Sequence, residues 1–227
     1  MMEISVVAPA YNEEAVIESF VEGVVAVLNN AFSRWELIVV DDGSTDRTKQ
    51  ILQALKDKHP GLKVISHGHN CGLGAGLETG FQAAQGKVVV TMDADGTHPP
   101  KLIPELYRAV INGADVAIAS RYVNGGKMVG VPLWRQGLSI LGNRTMKALR
   151  WPVNDATSGY RAYKGDIVKT LRGLKTGFEV QAEIVMRLRD KRFIEIPLEL
   201  LNRTGGRSKM QYTRLIPAYL HLLVSAR

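Results

Sequence analysis

Short runs rich in valine and isoleucine alternate with stretches whose apolar residues recur every three or four positions through the first half of the chain. Ile4-Ser5-Val6-Val7-Ala8 reads as a strand, and Val16, Ile17, Phe20, Val21, Val24, Val27 and Leu28 then share one helical face. Residues 37–40 predict a second strand ending at Asp41-Asp42, and Ser44-Thr45-Asp46 offers N-cap chemistry for a helix over 49–58. Further strands are expected at 62–66, 88–92 and 115–119, with helices at 74–85 and from Pro99-Pro100 to residue 112. This repetition predicts an α/β fold with a mostly parallel sheet flanked by helices. With no internal repeat or linker, residues 1–227 read as a single domain.

The second half is less regular. Residues 121–131 are glycine-rich, helices are expected at 134–149 and 179–190, and 193–198 predicts a strand broken at Pro197. The segment 154–164 reads as polar and glycine-containing, and 203–209 as a basic loop with Gly205 and Gly206. An apolar stretch at 215–224, interrupted by Pro217 and His221, fits a helix lying on a bilayer or one that closes the core.

Composition narrows the partners. The net charge of +7 points to an anionic partner, while an aromatic share of 7% without a nucleic-acid module argues against nucleic acid. Cys71 is the single cysteine, so an intrachain disulfide and a zinc site of several cysteines are both excluded. Neither a basic-then-apolar leader nor an apolar run of the roughly 18–20 residues that a membrane span needs is present, so the expectation is a cytoplasmic protein.

Candidate chemistry gathers just past the strand ends, where open parallel sheets bind ligands; Asp42, Asp95 and Arg121 fall there. The sharpest pattern is Asp93-Ala94-Asp95. Two carboxylates this close repel unless a cation lies between them, and a hard divalent ion bridging to a diphosphate meets that need. A pair that merely caps the next helix is the alternative. Pro9-Ala10-Tyr11-Asn12-Glu13 and Asp41-Asp42-Gly43-Ser44-Thr45-Asp46 offer turns and carboxylates for a ribose or base, or equally ordinary turns and caps.

Gly72, Gly74, Gly76 and Gly80 miss the dinucleotide spacing, because the sixth position is Leu77 or Thr79. Gly86-Lys87 precedes Val88 and position 81 is Phe, so the phosphate-loop pattern fails too. A dehydrogenase and a P-loop NTPase are therefore disfavoured, and the glycines read as close-packing positions. Arg121, Arg135, Ser139, Arg203, Arg207 and Lys209 suit phosphate, although any one alone reads as a surface residue.

Together these pieces resemble the family 2 glycosyltransferases of the GT-A (Rossmann-like) fold, and within them the dolichol-phosphate (polyprenol-phosphate) mannosyltransferases. Met92-Asp93-Ala94-Asp95 with His98-Pro99-Pro100, Ser120-Arg121-Tyr122, Asp155-Ala156-Thr157-Ser158-Gly159-Tyr160-Arg161, Gly177-Phe178-Glu179 and residues 203–209 carry the resemblance along with the two segments above.

The resemblance implies that Pro9, Tyr11, Glu13, Asp42, Ala94, Arg203 and Lys209 hold the nucleotide-sugar with Asp93 and Asp95, and that these two acids hold Mg²⁺ or Mn²⁺. Thr97 stands where the mannosyltransferases commonly place a glutamine as a further metal ligand. Arg121, Arg135 and Ser139 are implied to hold the acceptor phosphate, and Asp95, Arg121 and Arg203 to be catalytic. Residues 1–120 would form the donor half and 121–227 the acceptor half. The implied donor is GDP-mannose and the implied acceptor polyprenyl or dolichyl phosphate at the cytoplasmic face of a membrane, with peripheral association and a small membrane subunit left open as an anchor. Other readings are a glucosyl or aminosugar transferase, a transferase to a sugar hydroxyl, and a catalytically silent nucleotide-sugar-binding subunit. A processive synthase would show Q-x-x-R-W, and Gln211-Tyr212-Thr213-Arg214-Leu215 lacks the Trp.

Overall fold

The computed structural model describes residues 1–201, the side chain of Arg135 excepted. The chain runs β1 (Ile4–Ala10), α1 (Ile17–Ala31), β2 (Trp35–Asp41), α2 (Thr48–Lys58), β3 (Leu62–Ser66), α3 (Leu73–Ala83), β4 (Val88–Thr91), α4 (Ile103–Ile111, entered through one 3₁₀ turn), β5 (Val116–Ser120), β6 (Lys127–Met128), α5 (Leu133–Ala148), β7 (Arg161–Lys164), α6 (Gly165–Thr170), α7 (Val180–Arg187), β8 (Phe193–Pro197) and β9 (Glu199–Leu200). The strands and long helices expected from the first half are present with boundaries within a few residues. Arg203, Arg207, Lys209 and the apolar stretch 215–224 lie outside the described residues.

Seven strands form one sheet in the order β3-β2-β1-β4-β7-β5-β8, and β6 pairs with β9 in a small second one. All pairings in the large sheet are parallel except those of β7, which lies antiparallel between β4 and β5. The expected parallel α/β sheet is therefore present, with one reversed strand in its interior. The sequence pattern missed β7 because Arg161 makes a short segment look polar. In the fold Arg161 is fully buried, its guanidinium donating to the carbonyls of Gln181 and Ala156 at 2.8 Å each.

Alternation along β1 builds two cores. Ile4, Val6 and Ala8 face the layer of α1, α2 and α4, where Phe20, Leu52 and Leu106 are buried. Val7 faces the opposite layer with Leu77 and Phe81 of α3 and Val180 and Ile184 of α7. Each fully buried side chain of this kind contributes about 1.5–3 kcal/mol. Two glycines let α3 approach β1. A Cβ on Gly76 would stand 3.0 Å from that of Pro9, and one on Gly80 would overlap Val7. The chain steps outward from β1 to β2 and β3, then returns to place β4 on the other side of β1. This reversal creates a crevice at the strand ends.

Candidate functional site

The turns after β1 and β2 are stitched together. Asn12 holds a left-handed backbone (φ 51°), which asparagine tolerates better than most residues. Its side-chain oxygen Oδ1 accepts the Thr45 N–H at 2.7 Å, and its backbone N–H donates to Ser44 Oγ at 2.9 Å. The Glu13 N–H donates to Thr48 Oγ1, and the Glu14 N–H to Asp46. Ser44 therefore does not cap α2; only Asp46, accepting the Thr48 N–H at 2.9 Å, keeps the expected role at that helix start. The Asp42 N–H donates to the Ala10 carbonyl at 2.8 Å, so the turns carrying Tyr11 and Asp42 lie side by side at the ends of β1 and β2.

Asp42 is buried and anchors the loop that follows β3. Its Oδ1 accepts the Cys71 N–H at 2.9 Å, its Oδ2 accepts the Gly72 N–H at 2.8 Å, and His67 Nδ1 lies 2.7 Å from Oδ1. The other ring nitrogen of His67 is 2.9 Å from Thr79 Oγ1 on α3. Gly72 requires its freedom here: φ is 92°, and the Thr176 carbonyl occupies the space a side chain would fill. The carboxylate thus shapes the wall of the crevice as well as lying on it.

The acidic pair follows β4. Asp95 Oδ1 accepts both the Thr97 N–H (3.1 Å) and the Thr97 hydroxyl (2.7 Å), closing a turn around Gly96 at φ 78°. The Asp93 N–H donates to His98 Nδ1 at 3.0 Å. Accepting there places the proton of the neutral ring on Nε2, 3.8 Å from Asp93 Oδ2. His98 is buried and stacks on Tyr160, with centroids 4.9 Å apart and planes 17° apart. The 3₁₀ turn and helix that follow have no side-chain cap, so neither Asp93 nor Asp95 is used to cap them. Ala94 is buried between the two acids.

On the far side of β4, Arg121 follows β5 and is held by Asp155, which is fully buried. Arg121 Nε donates to Oδ2 at 2.8 Å and Nη2 to Oδ1 at 2.6 Å, while the Arg121 N–H adds a bond to Oδ2. Burial alone would push the Asp155 carboxyl up. The charge of Arg121, its side-chain and backbone hydrogen bonds and the charge of Arg161 outweigh this and hold it below the usual carboxylate range. Arg121 Nη2 also donates to Thr157 Oγ1, and Asn143 Nδ2 on α5 reaches the same oxygen. Ser139, one turn earlier on α5, accepts the Tyr122 hydroxyl at 2.6 Å. Burial raises the Tyr122 pKa despite nearby Arg121, so this hydroxyl stays a donor.

The structure therefore brings Arg121 and Ser139 into one network. Arg135 lies one turn from Ser139 on the same helix, and its side chain is outside the described residues. Arg203 and Lys209 lie outside as well. Leu201 donates its N–H to the Thr97 carbonyl at 3.1 Å, so the described chain ends against the acidic turn.

Four positioning residues escaped the sequence reading of roles: His67, His98, Asn143 and Asp155. The segments of His98 and Asp155 were visible as motifs, but their contacts were not. Asn143 follows Ser139 by four residues in an expected helix, and that spacing was its one available signal.

Comparisons with known proteins agree with this arrangement. A model of "Glycosyl transferase family 2" matches residues 5–172. A "Dolichol-phosphate mannosyltransferase" of Pyrococcus furiosus is 34% identical over 97% of this chain and 63% of its own length; the chain thus spans less than two thirds of that relative. An "Undecaprenyl-phosphate mannosyltransferase" of Micrococcus luteus is 34% identical over 92% of this chain and 88% of its own. Among solved structures, glucosyl-3-phosphoglycerate synthase from Mycobacterium tuberculosis, in complex with Mn²⁺, UDP and glucosyl-3-phosphoglycerate, superposes with a TM-score of 0.73 at 23% identity, over 99% of this chain and 78% of that one, which shows a shared fold. With strand order, acidic turn and family match in agreement, the chain belongs to glycosyltransferase family 2.

Proposed function

We propose that the chain transfers a hexose, mannose from GDP-mannose, onto a polyprenyl phosphate in one inverting displacement at a membrane surface. The observation that carries this reading is the acidic turn after β4, uncommitted to helix capping and lying on the same sheet edge as the Arg121–Asp155 network. The named activities of the Pyrococcus furiosus and Micrococcus luteus relatives support the lipid phosphate acceptor.

The donor half, residues 1–120, would hold the nucleotide with Pro9, Tyr11, Glu13 and Asp42. Asp93 and Asp95 would hold Mg²⁺ or Mn²⁺ with Thr97, and the fit is chemical. Every donor offered is oxygen, the Asp93 side chain is 42% exposed, and Thr97 Oγ1 already lies 2.7 Å from Asp95. Bound there, such an ion supplies Lewis-acid stabilisation of the departing diphosphate. Arg203, reached two residues after Leu201, would add positive charge to the same leaving group together with Lys209.

The acceptor half, from residue 121 onward, would hold the lipid phosphate with Arg121, Arg135 and Ser139. Tying Arg121 to Asp155 fixes its planar fork without rotamer freedom left to lose, so it is pre-organised for an anion. A phosphomonoester, with a second pKa near ~6, needs no general base at neutral pH. The chain's own arginines then serve to bring one anion toward another. No helix among the described residues is long and apolar enough to cross a membrane. Helix α5 instead exposes Leu133, Trp134 and Leu141, which suits peripheral contact with the bilayer that carries the acceptor.

A panel of nucleotide-sugars incubated with a short polyprenyl phosphate and Mn²⁺ or Mg²⁺ tests the reading. A lipid-linked mannose formed from GDP-mannose is expected. Lipid-linked glucose or aminosugar from another donor would replace the donor assignment. Nucleotide-sugar binding without turnover under any pairing would identify a silent subunit.

A further inference from the structure

Beyond the acidic turn, a second group of metal-binding side chains lies at the opposite wall of the crevice. The loop after β3 reads His67-Gly68-His69-Asn70-Cys71, placing a nitrogen or sulfur ligand at every second residue. Ligand atoms of Asp42, His67 and Cys71 all lie within 4.8 Å of one another. His69 lies beside this group, its Nε2 3.6 Å from Cys71 Sγ. The donor set is one imidazole, one thiolate and one carboxylate, a nitrogen- and sulfur-containing set unlike the all-oxygen acidic turn. Such a set selects Zn²⁺ and its chemical relatives over Mg²⁺ and Mn²⁺.

We propose that Cys71, His67 and Asp42 form a three-ligand tetrahedral site, completed by water, for a thiophilic divalent cation such as Zn²⁺. Ligands at about 2.0–2.3 Å from a tetrahedral ion are separated by a little over 3 Å. The His67–Asp42 pair, at 2.7 Å, opens slightly as the metal replaces their hydrogen bond, and Cys71 closes from within 4.8 Å. The other nitrogen of His67 stays on Thr79 Oγ1, at 2.9 Å, which fixes the orientation of the ring from outside the site. On binding, the Cys71 S–H gives its proton to solvent and a Zn–S bond forms, with no change of oxidation state. Asp42 is buried, His67 and Cys71 are half-buried, and the exposed His69 beside them marks the entry path.

The site itself is independent of the proposed function. One consequence rests on that reading: because Asp42 is assigned to the nucleotide, Zn²⁺ and donor would exclude each other.

Cobalt supplies the direct test. Co²⁺ added to the purified chain should give the intense ligand-field bands of a tetrahedral ion and a thiolate charge-transfer band, both erased by stoichiometric Zn²⁺. Cys71→Ser should remove the charge-transfer band and weaken Zn²⁺ binding on the order of 100-fold, and His67→Ala should weaken it at least ~10-fold. Thermal melts confirm that each variant is folded. An octahedral cobalt spectrum, or Zn²⁺ affinity unchanged in folded Cys71→Ser, overturns the site. Tight Zn²⁺ binding that leaves GDP-mannose binding unaffected keeps the site and overturns instead the assignment of Asp42 to the nucleotide.

Discussion

The guanidinium of Arg121 grips the fully buried carboxylate of Asp155 through two parallel hydrogen bonds, of 2.8 and 2.6 Å. The pair joins the end of β5 to the turn before β7; besides this structural duty, the proposed function gives Arg121 the presentation of charge to the acceptor. Removing one partner leaves the other charged and poorly compensated in a buried place. Asp155→Asn is expected to destabilise the chain by about 3–5 kcal/mol, read by urea unfolding. A loss below about 1 kcal/mol would place the pair among ordinary surface bridges.

The same pair sets an acid limit. Asp155 is depressed in the folded chain, so its contribution is complete above the unfolded carboxyl value near ~4 and disappears as pH falls through the lower folded value. Unfolding free energy should therefore fall as pH drops below about 4. Asp155→Asn should flatten part of that fall, and an unchanged slope would remove Asp155 as its source.

For transfer itself, Arg121→Ala should depress the rate onto lipid phosphate far more than it weakens nucleotide binding. Measurement is made at a temperature where the variant is folded, with nucleotide affinity by calorimetry. Equal losses in both would assign Arg121 to the fold alone. Arg121→Lys keeps the charge but loses the fork, and is expected to recover only part of the rate.

His98 should act through Asp93. Its Nδ1 accepts the Asp93 N–H, and its ring is fixed by Tyr160, so His98→Ala leaves that N–H without its acceptor at a cost of about 1–3 kcal/mol. The expected signature is a raised Mn²⁺ requirement, with partial recovery in His98→Asn, whose side-chain oxygen can accept the same bond. Loss of stability with an unaltered Mn²⁺ requirement would make His98 purely structural.

Most of the sheet was legible because strands buried on both faces announce themselves as apolar runs, as β1, β2 and β4 do. β7 was not, since its Arg161 is satisfied by carbonyls of Gln181 and Ala156, contacts that no local pattern reveals. The site divides in the same way. Asp93, Asp95 and Arg121 follow strand ends and could be read in place. The contacts of Asp42 with His67, 25 residues away, and of Arg121 with Asp155, 34 residues away, depend on which strands become neighbours. Ser44 was misread as a cap because its true partner, Asn12, is on the preceding strand's turn.

The central claim is that Asp93 and Asp95 grip a hard cation together with the donor's diphosphate. Electron paramagnetic resonance of Mn²⁺ titrated into the chain with and without GDP measures this without turnover. Wild type should sequester Mn²⁺ tightly only when GDP is present, and Asp93→Asn with Asp95→Asn should abolish that retention while the melting profile stays cooperative. GDP-dependent Mn²⁺ retention undiminished in the double variant would contradict the account.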